Sequence, residues 1–222
     1  MSSTLQDAMK TQLDEIVASK PGEYVAAHVK TDAELKESGI KNHCLKTGEK
    51  IPSFSLPDGT GKVQNIFGFH DQQWLIISFY RGEWCPFCNI YLKQLQKHLE
   101  RIENVPARLV AISPQLPDKS LSQAEKLNLK ITVLSDVGNK VGKLFGLVYT
   151  VPDYLKQVYE KDGLHLEYYN GEGKIELPLP ATYIVNRKGE IVYQFVETFP
   201  TDRLDPEQLV SVLKKLITMN QN

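Results

Sequence analysis

Cys85 and Cys88 are separated by two residues in Trp84-Cys85-Pro86-Phe87-Cys88, and they are two of the three cysteines in the chain. A Cys-x-x-Cys pair can cycle between dithiol and disulfide or supply half of a metal site. The zinc reading lacks its other half, because no second Cys-x-x-Cys and no His-x-x-x-His follows. Redox chemistry is therefore the reading that the spacing favours. Arg81, four residues upstream, is the nearest fixed positive charge, with a role either as a donor to the reacting atoms or as a salt-bridged structural residue.

The flanking residues predict how the pair is held. Trp74 to Tyr80 is an apolar run of strand type, broken at Gly82, and Leu92, Leu95, Leu99 and Ile102 then recur at helical spacing. A buried strand thus delivers the pair to a helix N-terminus, where unpaired N–H groups and the helix dipole favour thiolate over thiol. Pro86 suits the first helical turn, which donates no N–H. Trp84 and Phe87 are expected to shape the rim and shield the sulfurs, and Glu83 to point away from a thiolate.

An acidic thiol alone does not make a fast peroxide reductant. Lowering its pKa from about 8.5 to about 6 raises the thiolate fraction at pH 7 roughly 30-fold. Reduced nucleophilicity takes back roughly tenfold, by analogy with thiol exchange. Donors placed on the breaking O–O bond must supply the rest. Backbone N–H groups at the helix start and the Arg81 guanidinium are the candidates.

The rest of the chain reads as an α/β protein. Thr4 to Ser19 and about Tyr24 to Ser38 are predicted helices, forming either a packing arm or an oligomer contact. Phe54–Leu56 and Lys62–Ile66 flank a glycine turn. Arg108–Ser113 and Ile131–Leu134 are further strands, alternating with helices at Leu121–Leu127 and Asn139–Phe145, as β-α-β units do. Pro152 to Gly173 is a Tyr-rich, helix-containing insertion. Ala181–Asn186 and Glu190–Glu197 form a hairpin, and Asp205–Thr218 is an amphipathic closing helix.

Four ordered segments carry a family resemblance: Phe79-Tyr80-Arg81-Gly82-Glu83-Trp84-Cys85-Pro86-Phe87-Cys88, Val110–Gln115, Leu134–Lys140 and Pro178–Val185, with Gly48–Leu56 as an opening segment. The chain resembles the AhpC/TSA branch of peroxiredoxin-like proteins in the thioredoxin superfamily, from roughly Leu45 onward. The resemblance implies a thioredoxin-like three-layer fold with a mixed central sheet, residues 45–222, preceded by a helical extension, residues 1–44. It implies a thiol peroxidase acting on hydrogen peroxide or alkyl hydroperoxides. Thioredoxin, glutaredoxin or glutathione would regenerate it, and no cofactor is implied. The other function classes are a disulfide reductase with a glutaredoxin-like Cys-Pro-Phe-Cys and, more weakly, a redox-sensing binding protein.

The family's Pro-x-x-x-Thr-x-x-Cys, laid on this chain without gaps, puts Arg81 at the Pro, Cys85 at the Thr and Cys88 at the attacking Cys. Thioredoxin logic makes the first, more exposed sulfur attack, and we take Cys85 on that ground. The family's usual strand Arg has no counterpart in Ala181–Val185, which leaves Arg81 as the nearest candidate. Pro180 takes the place of the fold's cis-proline facing the pair, with Thr182 beside it. Cys44 reads as an incidental buried thiol rather than a resolving partner.

Composition bounds the partners. With 222 residues, 41% hydrophobic and a net charge of −1, neither nucleic acid nor an anionic membrane surface is the expected main partner. No apolar stretch is long enough to span a bilayer, and Met1–Lys10 holds no apolar signal core. Three cysteines do not resemble a secreted disulfide framework, so a cytoplasmic enzyme, compatible with a homodimer, is expected.

Overall fold

A computed structural model describes residues 4–70, 73–173 and 175–219, so the first three residues of the Met1–Lys10 stretch lie outside it. The fold is built around β3 (Trp74–Phe79), whose six residues are all buried. A continuous apolar run, rather than an alternating one, is what a strand covered on both faces requires. β4 (Ala107–Ser113) and β5 (Thr132–Ser135) lie parallel to it in sequence, while β8 (Ala181–Val185) pairs with its other side antiparallel and leads to β9 (Ile191–Val196). The order is β5-β4-β3-β8-β9, with Phe79 opposite Ile112 on one side and Ala181 on the other. This is the mixed sheet that the resemblance implies, where the β-α-β units alone suggest a largely parallel one.

Alternation along β3 sorts the core into two layers. Trp74 and Ile76 face a cluster with α4 (Pro86–Glu103) and α9 (Pro206–Met219), while Leu75, Ile77 and Phe79 face the other side with Phe145 and Tyr183. The α4 face carries Leu92, Leu95, Leu99 and Ile102, each at most 6% exposed. Burying such a side chain contributes about 1.5–3 kcal/mol. Cys44 belongs to the opposite layer, where its thiol donates to the Gly146 carbonyl at 3.2 Å. Its separation from the Cys pair by the sheet supports the incidental reading.

The N-terminal helices pack on their own chain. α1 (Leu5–Ser19) starts at a Thr4 cap whose hydroxyl accepts from the Asp7 N–H, with the Asp7 carboxylate reaching back. Its Leu5 and Met9 sink into the α4 layer, with Leu13 and Ile16 beside them. α2 (Gly22–Glu37) sits against the insertion, which folds as α7 (Asp153–Lys161) and α8 (Leu166–Asn170). Two three-residue strands, β6 (Val148–Thr150) and β7 (Glu176–Pro178), close its base, an element the Tyr-rich stretch did not reveal. The remaining elements are the β1–β2 hairpin (Ser55–Pro57, Val63–Asn65), α3 (Ile66–His70), α5 (Pro117–Leu127) and α6 (Lys140–Leu144).

The expected cis bond at Pro180 is not found: every peptide bond among the described residues is trans. The segment runs extended, with the Leu179 N–H donating to Leu147 and the Pro180 carbonyl accepting from Glu197, so the chain enters β8 without a reversal. No helix among the described residues is long and apolar enough to cross a membrane.

Candidate active site

β3 ends at Phe79 and the chain turns through Tyr80, Arg81 and Gly82 into α4. Gly82 has φ +149°, and a Cβ there would lie 2.7 Å from Trp84 Nε1, so this turn requires glycine. Buried amides fix it from below. Gln115 Oε1 accepts the Glu83 N–H at 2.6 Å, Asn89 Nδ2 donates to the Glu83 carbonyl at 2.7 Å, and Gln123 links Gln115, Asn89 and the Tyr80 hydroxyl. Glu83 turns to an ion pair with Lys126, away from the sulfurs as expected.

Cys85 is the N-cap of α4 and Pro86 its first residue. The Cys85 sulfur accepts the Cys88 N–H at 3.4 Å, and the two Sγ atoms are 2.8 Å apart. Arg81 Nη2 donates to Cys85 Sγ at 3.1 Å. Arg203, from the turn before α9, donates to Cys88 Sγ at 3.2 Å. Arg203 had no signal in the sequence, being a lone loop residue far from the motif. Its guanidinium lies 5.4 Å from the Tyr91 ring centroid, and the Tyr91 hydroxyl meets Thr182 Oγ1 at 3.2 Å. Thr182 thus reaches the site through Tyr91 and Arg203. Pro180 bonds to Glu197 rather than to either sulfur.

Both cysteines are fully buried, which corrects the expectation of an exposed first sulfur. Two sulfurs this close titrate as a pair. Burial and the hydrogen bond it shares with Cys88 hold Cys85 well above the ordinary thiol range. Burial also pushes Cys88 upward, but its hydrogen bond with Cys85 and the charges of Arg203 and Arg81 reverse this and take it well below that range. The two sulfurs therefore share one proton and one negative charge between two guanidiniums, with Cys88 the more acidic member.

Phe87 is buried in the same cluster as the two sulfurs, and Trp84 packs against that cluster. The Trp84 ring lies 5.1 Å from the Arg81 guanidinium carbon and 5.6 Å from the Tyr159 ring. A cavity of about 50 Å³ opens on Arg81, Trp84, Pro86 and Phe87, roofed by Leu13 and Ile16 of α1. One water needs roughly 10–15 Å³ of such space, so the cavity admits a small peroxide. Arg81 Nε is buried with no hydrogen-bond partner among the described residues.

His28 closes the seam between α2 and α7. Its Nδ1 meets the Tyr24 carbonyl at 2.9 Å and its Nε2 the Tyr159 hydroxyl at 3.2 Å. The neutral ring, protonated at Nδ1, satisfies both. Burial, followed by the nearby Arg81 charge, lowers its pKa to about 4 despite the support of the Tyr24 carbonyl. The unfolded chain takes up a proton near pH 6.5 and the folded chain only near 4, so stability is lost as pH falls through that window. The loss approaches roughly 3 kcal/mol. Thermal unfolding followed from pH 7 to pH 4 is expected to show a falling midpoint, with a shallower fall in His28→Gln.

The sequence profile of the AhpC/TSA family matches residues 47–194, leaving α1 and α2 outside. The chain is 31% identical to Peroxiredoxin Bcp of Escherichia coli K12 over 134 residues, 60% of this chain and 83% of that one. It is 26% identical to the chloroplastic Peroxiredoxin Q of Sedum lineare over 183 residues, 81% of this chain and 95% of that one. In fold it is similar to peroxidoxin BcpB from Mycobacterium tuberculosis, with a TM-score of 0.63 at 19% identity over 78% of this chain and 98% of that one. A profile match across most of the chain, including the turn that carries the paired sulfurs, shows that this protein belongs to the AhpC/TSA family.

Proposed function

We propose that the protein is a thiol-dependent peroxidase in which Cys88 attacks the peroxide, Cys85 resolves, and Arg81 and Arg203 carry the charge. The observation that carries this is the sulfur pair, 2.8 Å apart and held between two guanidiniums. The Cys88 thiolate forms an S–O bond with one peroxide oxygen as the O–O bond breaks. The departing oxygen takes a proton from solution and leaves as water or an alcohol. The Cys85 sulfur then attacks the sulfenic sulfur, the S–S bond forms, and hydroxide leaves with the Cys85 proton as water. Two electrons pass from the sulfurs to the peroxide. Arg81, which lines the small cavity and keeps an unpartnered Nε, places a donor where negative charge develops on the leaving oxygen.

The disulfide-reductase reading is less well supported, because a protein disulfide cannot reach sulfurs with no exposed surface in this arrangement. Stopped-flow oxidation by hydrogen peroxide and by a small alkyl hydroperoxide tests the proposal, against insulin reduction by the dithiol form. Rapid peroxide oxidation without insulin reduction is expected, and the reverse outcome would favour the exchanger.

With the resolving thiol already in contact, oxidation stays within one chain. Peroxide-treated protein is expected to run as a monomer on a non-reducing denaturing gel, lighter by about two hydrogens, the mass lost when a dithiol becomes a disulfide. Cys44→Ser is expected to behave identically. A covalent dimer lost in Cys44→Ser contradicts local resolution. We further propose a cytoplasmic setting, on the strength of three free thiols, with thioredoxin, glutaredoxin or glutathione as reductant. A homodimer is consistent with this reading and is tested by sedimentation.

A further inference from the structure

α1 and α2 are attached to the domain in different ways. α2 is strapped by polar links: Thr31 Oγ1 to the Tyr154 hydroxyl at 3.0 Å, Tyr154 to Glu34 at 2.6 Å, His28 to Tyr159, and Asp32 to Thr198. On α1, every side-chain hydrogen bond found among the described residues from Leu5 to Ser19 closes within the helix or onto its own cap. What holds α1 down is apolar: Leu5, Met9, Leu13 and Ile16. It is also imperfectly seated. The cavity on Arg81 lies along one flank, and a groove of about 490 Å³ containing Arg203 lies along the other, with Leu13 lining both. Lys20-Pro21-Gly22 joins it to α2, and a Cβ at Gly22 would meet nothing within 4 Å.

Beneath this helix lies a charge that depends on the sulfurs. Arg81 is 4% exposed and has no carboxylate within ion-pair distance among the described residues. The groups that face it are neutral at pH 7. The Tyr149 and Tyr159 phenols are raised by burial, Tyr24 is raised likewise, and His28 is uncharged. Its negative partner is the thiolate of the Cys pair. Arg203 differs, being half-buried in an open groove beside Asp202 and Asp205.

We propose that α1 is a redox-linked lid, closed over the site while a thiolate neutralises Arg81 and lifted when the Cys85–Cys88 disulfide forms. This rests on the dithiol–disulfide chemistry proposed above, with peroxide as the oxidant. Disulfide formation removes the negative charge and leaves the Arg81 guanidinium buried without an anion. The penalty for such a charge is of the same order as the hold of four apolar side chains. Swinging α1 about Pro21 hydrates Arg81 at the cost of that apolar contact, while the strapped α2 stays in place. Opening also uncovers Trp84 and Phe87, giving a reductant a path to sulfurs it cannot otherwise reach.

Hydrogen exchange of the full chain tests this, comparing reduced protein with protein oxidised by one equivalent of hydrogen peroxide and, separately, by diamide. Amides of residues 5–19 are expected to exchange on the order of 10²-fold faster in the disulfide form, with residues 22–37 unchanged and full reversal by dithiothreitol. Equal protection of α1 in both forms overturns the proposal. Oxidised Arg81→Met is expected to keep α1 protected, and oxidised Arg81→Lys, which retains the charge, to release it. Release in Arg81→Met rules out the charge as the cause. Limited trypsin cleavage of wild type at Lys10 gives a variant-free check, faster only after oxidation. If diamide closes the disulfide and peroxide does not, the lid test stands and the peroxidase reading fails. If neither reagent closes it, both fail.

Discussion

Cys88→Ser is expected to lose peroxide-driven oxidation by at least about 10³-fold, in line with removal of an enzyme's nucleophile. Cys85→Ser is expected to keep it within about tenfold. The reasoning starts from the shared proton. Two sulfurs 2.8 Å apart cannot both ionise, and Cys88, with Arg203 at 3.2 Å and the field of Arg81 as well, is the more acidic of the two. In Cys85→Ser the sulfenic acid has no resolving thiol within reach, because Cys44 lies across the sheet. Dimedone should therefore trap it at Cys88, and excess peroxide should carry it on to sulfinic acid. An adduct at Cys85 in Cys88→Ser, formed at close to the wild-type rate, would return the attack to the first sulfur.

The two arginines should fail in different ways. Arg81→Lys keeps the positive charge but loses the planar fork that reaches both Cys85 and the cavity. The oxidation rate is expected to fall roughly 10²-fold, the scale of one lost oxyanion donor, with little change in thiol titration. Arg203→Met should instead move the titration. Without that guanidinium the first proton of the pair leaves at higher pH, so the rate acquires a rising limb where wild type is flat. A rate in Arg81→Lys equal to wild type would make Arg81 structural. A flat profile in Arg203→Met would leave Cys88 ionised by the helix terminus and Arg81 alone.

The strand, the Gly82 break and the helix that carries the pair were legible because a buried strand and an amphipathic helix differ in period, and the pair sits where one ends and the other begins. The same holds for the capped α1 and the closing α9. What escaped was set by contacts distant in sequence. Arg203 comes from a loop 115 residues beyond Cys88, and no local pattern marks it. The stripe on α1 showed which face is buried but not that its cover is the redox site. The strands β6 and β7 are three residues each, too short to show alternation among tyrosines. Exposure of Cys85 was inferred from thioredoxin logic, which takes no account of the helix laid across the motif here. The Pro180 isomer depended on where the chain runs afterward, and here it runs straight into β8.

Trp74 and Trp84, the only tryptophans, bracket β3. Trp74 opens the strand at 3% exposure, on the α4 side and at the end remote from the sulfurs, whereas Trp84 rests on Arg81. The molecule thus contains a reference fluorophore and a sensing one. Emission from Trp74 should stay constant through a catalytic cycle, while that from Trp84 should follow the charge and hydration of its neighbour. A Trp74→Phe chain would then allow oxidation and reduction to be timed optically, turnover by turnover, without any label.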